Sequence, residues 1–328
     1  MTIQETHLFH QLPCPLPDGY REEDVLFLNL ETQAFGRADR PILYLGIIRP
    51  TDNGWQARQW LPDKGEEASM LQDFLPFLDG ITCLVHYNGS SFDIPILEKR
   101  LKRFQLSSPL KEKRQLDLYR LFAPLKKLLG LPHLSQACLE QYLGIGRTGN
   151  DNDLTCLPLL LPLLSYLDFL NGNFSISSAE IKEEDPVKGH LIVHGQCRRP
   201  FPKAFSHHYP FAYVSGEKNQ FSMSVEGRFG TMKYFFKNYK DYYYLPLEDM
   251  AVHKSVASYV EKEYRQPAKA SNCYVKKNGF FLIQKEPFSQ PVFAQEYNTK
   301  PYFLLCDKQM MDNQALMDTY LKNVLNDL

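Results

Sequence analysis

Paired cysteine is what this sequence most plainly lacks. Its seven cysteines (Cys14, Cys83, Cys138, Cys156, Cys197, Cys273, Cys306) are odd in number, scattered, and never spaced as Cys-x-x-Cys, which speaks against a disulfide framework and against a zinc ribbon. Long apolar runs are missing too. The most apolar stretch, Leu157 to Leu170, covers 14 residues and is interrupted by Pro158 and Pro162, short of the roughly 20 that a membrane helix needs. A buried core helix is expected there. The N-terminus has neither a basic start nor an apolar run, so no secretory signal is expected and a reducing cytoplasm is the simplest compartment. Nor does either sign of charge dominate: 37 Lys+Arg stand against 38 Asp+Glu. That balance argues against a surface coated for bulk nucleic-acid or membrane binding, but it leaves local patches open. What is present is an ordinary globular composition, 44% hydrophobic and 23% charged over 328 residues, long enough for two domains with separate cores.

Patterning divides the chain. Residues 1–22 read as an N-terminal extension. From 23 to 171, short apolar runs (VLFLNLE, PILYLGIIRP, TCLVHYN) alternate with helical patterns, the mark of an α/β layered domain. Residues 172–189 are polar and rich in Gly and Ser, a linker by composition. Residues 190–328 carry period-2 runs (HLIVHGQC, FAYVSG, FSMSVEG, TMKYFFK, FFLIQ) and helical patterns near Met250–Tyr264 and Met311–Leu328, so an accessory α+β, β-rich domain is expected. Through Gly172 there are 17 basic and 21 acidic residues, leaving 20 and 17 beyond. Within the first part, Lys99 to Lys127 holds ten basic residues against Glu112 and Asp117. This window reads either as a solvated helix face or as a surface turned toward phosphates. The run Tyr239–Pro246, with Lys233, Lys237 and Lys240 nearby, could present aromatic and basic groups to a single strand, although sheet packing is the simpler reading.

Carboxylates stand out at three places. Val25–Thr32 is apolar on both faces, as a central, doubly covered strand would be; alternation places Asn29 and Glu31 on one face, about 7 Å apart. The strand-like run Ile81–Tyr87 is followed by Asn88-Gly89-Ser90-Ser91-Phe92-Asp93-Ile94-Pro95, a turn leading into a helix with Asp93 at its N-terminus, where an N-cap role would explain it without function. Asn150-Asp151-Asn152-Asp153 opens the apolar helix, and again a cap would suffice.

In series these segments resemble the DEDD 3′-5′ exonucleases of the ribonuclease H-like superfamily, most nearly the bacterial YprB-type domain. Asn29-Leu30-Glu31-Thr32 is similar to the family's Asp-x-Glu-Thr. The stretch Asn88 to Pro95 matches Asn-Gly-x-x-Phe-Asp-x-Pro in full. Leu116-Asp117-Leu118-Tyr119 and Leu134–Arg147 look like its middle helices, and Gly149 to Asp153 partly matches His-Asn-x-x-Asp. The resemblance covers roughly residues 23–171. It implies a mixed central sheet flanked by helices and two-metal phosphodiester hydrolysis with Mg²⁺ or Mn²⁺. Glu31 and Asp153 would bind one ion, Asp93 would act on the second through water, and position 29 would bridge both. Asn88, Lys99, Lys102, Arg103 and Arg147 would face DNA or RNA, at single-stranded ends. No membrane and no small-molecule cofactor is implied.

Two positions depart from that pattern. Asn29 stands where the family has the bridging aspartate, and Gly149 where a histidine base is usual. An amide oxygen cannot neutralise two dications, and loss of a general base removes roughly 10²–10⁴ in rate. The expectation is a nuclease fold whose hydrolysis is impaired or lost and which binds one ion, two or none. The alternative is a non-catalytic scaffold. His190 and His194, on a strand by pattern, stand about 13 Å apart and are read as structural. Tyr87 and Phe92 are read as core.

Overall fold

The computed structural model describes residues 1–32, 41–147 and 152–326. The chain forms two compact units, Met1–Leu167 with Phe201–Lys203, and Asp168–Pro200 with Ala204–Leu328.

The first unit is built on a six-stranded sheet: β1 (Thr2–Phe9), β2 (Val25–Thr32), β3 (Ile42–Thr51), β4 (Gly54–Leu61), β5 (Cys83–His86) and β6 (Arg114–Asp117), in the order β1-β4-β3-β2-β5-β6. β2, β3, β4 and β1 pair antiparallel; β5 and β6 join β2 in parallel. The sheet is therefore mixed, with β2 at the change of direction. Val25 through Leu28 are fully buried, the condition that lets β2 be apolar on both faces. Helices α1 (Glu67–Phe74), α2 (Asp93–Arg103), α3 (Leu118–Leu121), α4 (Leu125–Leu128), α5 (Gln136–Leu143), α6 (Asp153–Cys156) and α7 (Leu164–Leu170) complete the order through residue 170. One core cluster joins β2, β3 and β5 to α1 and α2 through Leu26, Leu28, Leu45, Leu84, Leu71, Phe74 and Leu97.

Residues 1–22 are not a bare extension: Thr2–Phe9 is an edge strand paired to β4 from Thr2↔Leu61 onward. Its side chains are largely exposed and polar, so its pairing leaves almost no hydrophobic signature. The apolar stretch Asp153–Leu170 is 78% buried, as expected of a core segment, but Pro158–Leu163 is a 3₁₀ turn between α6 and α7, since Pro158 and Pro162 lack the N–H that a continuous helix needs.

In the second unit, residues 172–189 are mostly strand. β7 (Phe174–Glu183) pairs with β8 (Lys188–Cys197) along its length. A register shift between Ile176 and Ser178 changes the phase of alternation, so Phe174 and Ile176 fall out of step with Ala179 and Ile181 and the strand reads as polar linker. β9 (Phe205–Tyr209), β10 (Ala212–Glu217) and β11 (Gln220–Phe235) follow; β11 merges two of the sequence runs into one strand. Then come a small sheet of β12 (Tyr242–Leu245), β13 (Met250–His253) and β14 (Gln266–Pro267), and β15 (Tyr274–Gln284), β16 (Phe293–Ala294) and β17 (Tyr302–Leu305), which join the large sheet. The helix expected over Met250–Tyr264 is instead β13, the single turn Lys254–Ala257 and a 3₁₀ turn. A helix does form over Gln314–Leu325.

Candidate active site

In the first unit the parallel strands β2, β5 and β6 present their C-terminal ends on one edge of the sheet, the position where open α/β sheets place their ligands. Asn29 and Glu31 lie on β2 as the alternation predicts, Asn29 half-buried and Glu31 exposed. Across from Asn29 on β3 is Gly46, where a Cβ would lie 2.4 Å from the Tyr44 hydroxyl and 2.6 Å from Leu154 Cδ2; only glycine leaves that room. The Asn29 Nδ2 is buried with no hydrogen-bond partner among the described residues.

The turn after β5 owes its sequence to His86. Asn88 takes φ 60°, and a Cβ on Gly89 would lie 2.6 Å from His86 Cγ. Gly89 N–H donates to His86 Nδ1 at 3.1 Å, so Nε2 carries the proton toward Gln115 Oε1 at 2.8 Å. The imidazole is thus neutral, and burial holds its pKa below the usual value. The turn delivers the chain into α2.

Asp93 is the first residue of α2 but not its cap: Phe92 occupies that place and no side chain caps the helix. Its carboxyl is only 5% exposed. Burial first, then the nearby Asp117 and Asp153, push its pKa up to about 7. A capping carboxylate would be stabilised in its charged form; this one is destabilised.

Asp117, at the end of β6, is the acid that reasoning from sequence left without a role. It is 6% exposed. Its Oδ1 accepts from Asn88 N (2.8 Å) and Tyr119 N (3.1 Å), fixing the turn and capping α3 together. Its Oδ2 makes no hydrogen bond among the described residues and stands 3.9 Å from the neutral His86 and 3.8 Å from Arg120 Nε. The available signal was an acid closing a short run that continues the strand alternation.

Asp153 is not a cap either. Asn152 caps α6, in a reciprocal capping box with Thr155. The Asp153 carboxylate meets Arg147 Nη2 at 2.6 Å, and the same guanidinium holds Glu140 at 2.7 and 2.8 Å. Arg147 is therefore committed to two carboxylates within the unit rather than turned toward a phosphate. Gly149, Asn150 and Asp151 lie outside the described residues.

The basic window resolves into separate roles. Arg100 is buried and bonded to Glu67. Lys113 donates to the Leu78 and Ile81 carbonyls, and Arg114 lies over Tyr20. Lys99, Lys102 and Arg103 are exposed on the far turns of α2, roughly 9–15 Å along the helix from Asp93 at 1.5 Å per residue. Arg120, exposed and 3.3 Å from Ser91 Oγ, stands 3.8 Å from Asp117. Tyr87 donates to the Leu134 carbonyl and packs edge-on to Tyr119, and Phe92 packs on the core.

Among the described residues no three His, Cys, Asp or Glu side chains are grouped so as to hold a metal ion. Among the described residues, position 29 offers an amide and Asp153 is already bonded to Arg147, so these two side chains, as arranged, do not fit the paired carboxylates of a two-ion site.

The first unit has a ribonuclease H-like fold: residues 26–158, less than half the chain, match the RNase_H_2 model of the RNase_H superfamily. Over 84 residues the chain is 37% identical to the uncharacterized protein YprB of Bacillus subtilis (strain 168), covering 25% of this chain and 20% of that one. Among solved structures it is similar to product-bound exonuclease I, with a TM-score of 0.37 and 14% identity over 60% of this chain and 59% of that one. It is also similar to E. coli exonuclease I in complex with a dT13 oligonucleotide, with a TM-score of 0.36 and 13% identity over 58% and 54%. The chain thus spans a fifth of the curated relative and little more than half of the solved ones.

Proposed function

We propose that the first unit is a nucleic-acid-binding domain of DEDD exonuclease ancestry whose metal-dependent phosphodiester hydrolysis is impaired or lost. The observation that carries this reading is Asp93. It is a buried carboxyl that caps nothing, sits beside Asp117, and ionises only at the cost of burial and like charge, an arrangement typical of functional sites. The same surroundings support impairment. Asn29 offers a neutral amide at the bridging position, and Arg147 meets Asp153, supplying locally the positive charge that an ion would bring. The acids Glu31, Asp93 and Asp153 would then retain one ion, Mg²⁺ or Mn²⁺, or none. The partner is DNA or RNA with a single-stranded end, held by Asn88, Lys99, Lys102, Arg103 and Arg120, in the cytoplasm of a bacterium.

Hydrolysis of end-labelled single-stranded and duplex DNA and RNA, with Mg²⁺ or Mn²⁺, tests the proposal. The unaltered protein should cleave slowly or not at all, and Asn29→Asp should raise the rate at least tenfold by restoring a bridging carboxylate. Efficient metal-dependent cleavage by the unaltered protein, abolished by Asp93→Ala, would overturn the impaired reading. Absence of oligonucleotide binding at low salt would favour a scaffold.

A further inference from the structure

The tyrosine-rich run of the second half divides in two. Tyr242 stacks on Phe236 at 4.4 Å and 17°, and Tyr244 donates to Asp249; both are packing. Tyr239 is different. With Tyr234, Phe236, Lys237, Tyr297 and Tyr302 it lines a cavity of about 410 Å³ at the end of β11, within the roughly 300–1,000 Å³ common for ligand sites. No Asp or Glu lines it. Tyr297 is 41% exposed, so its ring is open to solvent.

Lys237 is the one charged residue among those that line the cavity, and the two stretches that run to it are basic. Residues 227–240 contain Arg228, Lys233, Lys237 and Lys240 and no acid; residues 265–285 contain Arg265, Lys269, Lys276, Lys277 and Lys285 and no acid. The sheet sets these stretches side by side, with Lys233 opposite Lys276 on β11 and β15. Lys233 is neutralised by Glu296 and Lys276 by Asp249, whereas Lys237, Lys240, Lys269 and Lys277 are exposed and make no ion pair among the described residues. Aromatic walls would equally suit a cation, but with a lysine and no carboxylate among the lining residues the wall itself offers a cation no counter-charge. A planar base attached to phosphate satisfies both the rings and the lysines.

We propose that this cavity is a stacking site for a base of single-stranded nucleic acid, with Lys237 on the adjoining phosphate. It shares a partner class with the reading of the first unit but not its site.

The probes are fluorescein-labelled dT12 and rU12, with an abasic 12-mer of the same charge, followed by anisotropy on the full chain. Tyr239→Ala and Tyr297→Ala should each weaken dT12 binding roughly 5- to 100-fold, Tyr239→Phe should bind nearly as the unaltered chain does, and the abasic strand should bind as weakly as the alanine variants. Lys237→Ala should lower the salt slope by about one phosphate contact. A dT12 carrying 5-iodouracil should photocrosslink to Tyr234–Tyr239 or Tyr297–Tyr302. The cavity must keep its Tyr239-sensitive binding in a Lys102→Glu/Arg103→Glu chain, which separates its fate from that of the first unit. Unchanged affinity in both alanine variants, equal binding of the abasic strand, or crosslinks confined to residues 1–167 would overturn the proposal, as would binding of a proline-rich peptide that dT12 does not displace.

Discussion

Asp93 is where single-residue chemistry matters most. A carboxyl whose folded pKa, about 7, exceeds its ordinary 3.8 holds its proton more tightly in the folded chain. Its ionisation therefore costs stability progressively as the pH rises from about 4 to about 7, and fully above that. The difference is worth on the order of 4 kcal/mol. Asp93→Asn, which keeps the shape and removes the charge, should stabilise the first unit by roughly 2–4 kcal/mol at pH 8, with that gain disappearing toward pH 4. Trp55 and Trp60, the chain's two tryptophans, are both buried in the first unit, so urea unfolding followed by tryptophan fluorescence reads that unit alone. An equal effect at both pH values would mean that the carboxyl is not strained. Asp93 was legible as a candidate, but its strain was not, because burial and the approach of Asp117 and Asp153 come from other elements. Asp117 was illegible as a site residue for the same reason: its partners Asn88 and His86 lie about thirty positions earlier.

Among elements, α2 shows how one buried pair orients a helix that serves the site. Arg100 bonds Glu67 of α1, and Glu67 also accepts the Ile42 N–H that opens β3. Both side chains are under a tenth exposed. Removing one partner strands the other charge, so Arg100→Ala should destabilise the first unit by about 3–5 kcal/mol, seen as a lower urea midpoint. Glu67→Leu/Arg100→Leu should recover most of that loss; failure to recover would indicate that packing rather than charge dominates. From sequence Arg100 was one more cation in a basic window. Periodicity could place it on α2, but only the position of α1 turns that face inward. Register had a comparable effect on β7, where one bulge disguised a strand as a linker, and capping had it on Asp153, where Asn152 takes the role that the sequence offered to several residues.

Across the whole molecule, near-neutral charge conceals uneven distribution: the first part is slightly acidic, the remainder slightly basic, and exposed cations occur on α2 (Lys99, Lys102, Arg103) and at Lys237, Lys240, Lys269 and Lys277 in the second unit. Oligonucleotide affinity should consequently fall steeply with salt, and Lys102→Glu/Arg103→Glu should reduce the slope of log K against log salt by roughly 1.4, at about 0.7 per phosphate contact on a single strand; an unchanged slope would remove α2 from the binding surface. The sequence by itself determined an α/β layered first part, because alternating apolar runs and helical patterns are local, and its ordered motifs carried the resemblance that implied a ribonuclease H-like fold over roughly residues 23–171 and marked Asn29 as a departure. Only the tertiary structure decided which acids are buried together, that Arg147 holds Asp153, which lysines remain free, and that tyrosines far apart in the chain, Tyr239 and Tyr297, wall one cavity. Those outcomes depend on contacts between distant segments, and burial, like-charge proximity and ion pairing are properties of neighbours in space that no local pattern encodes.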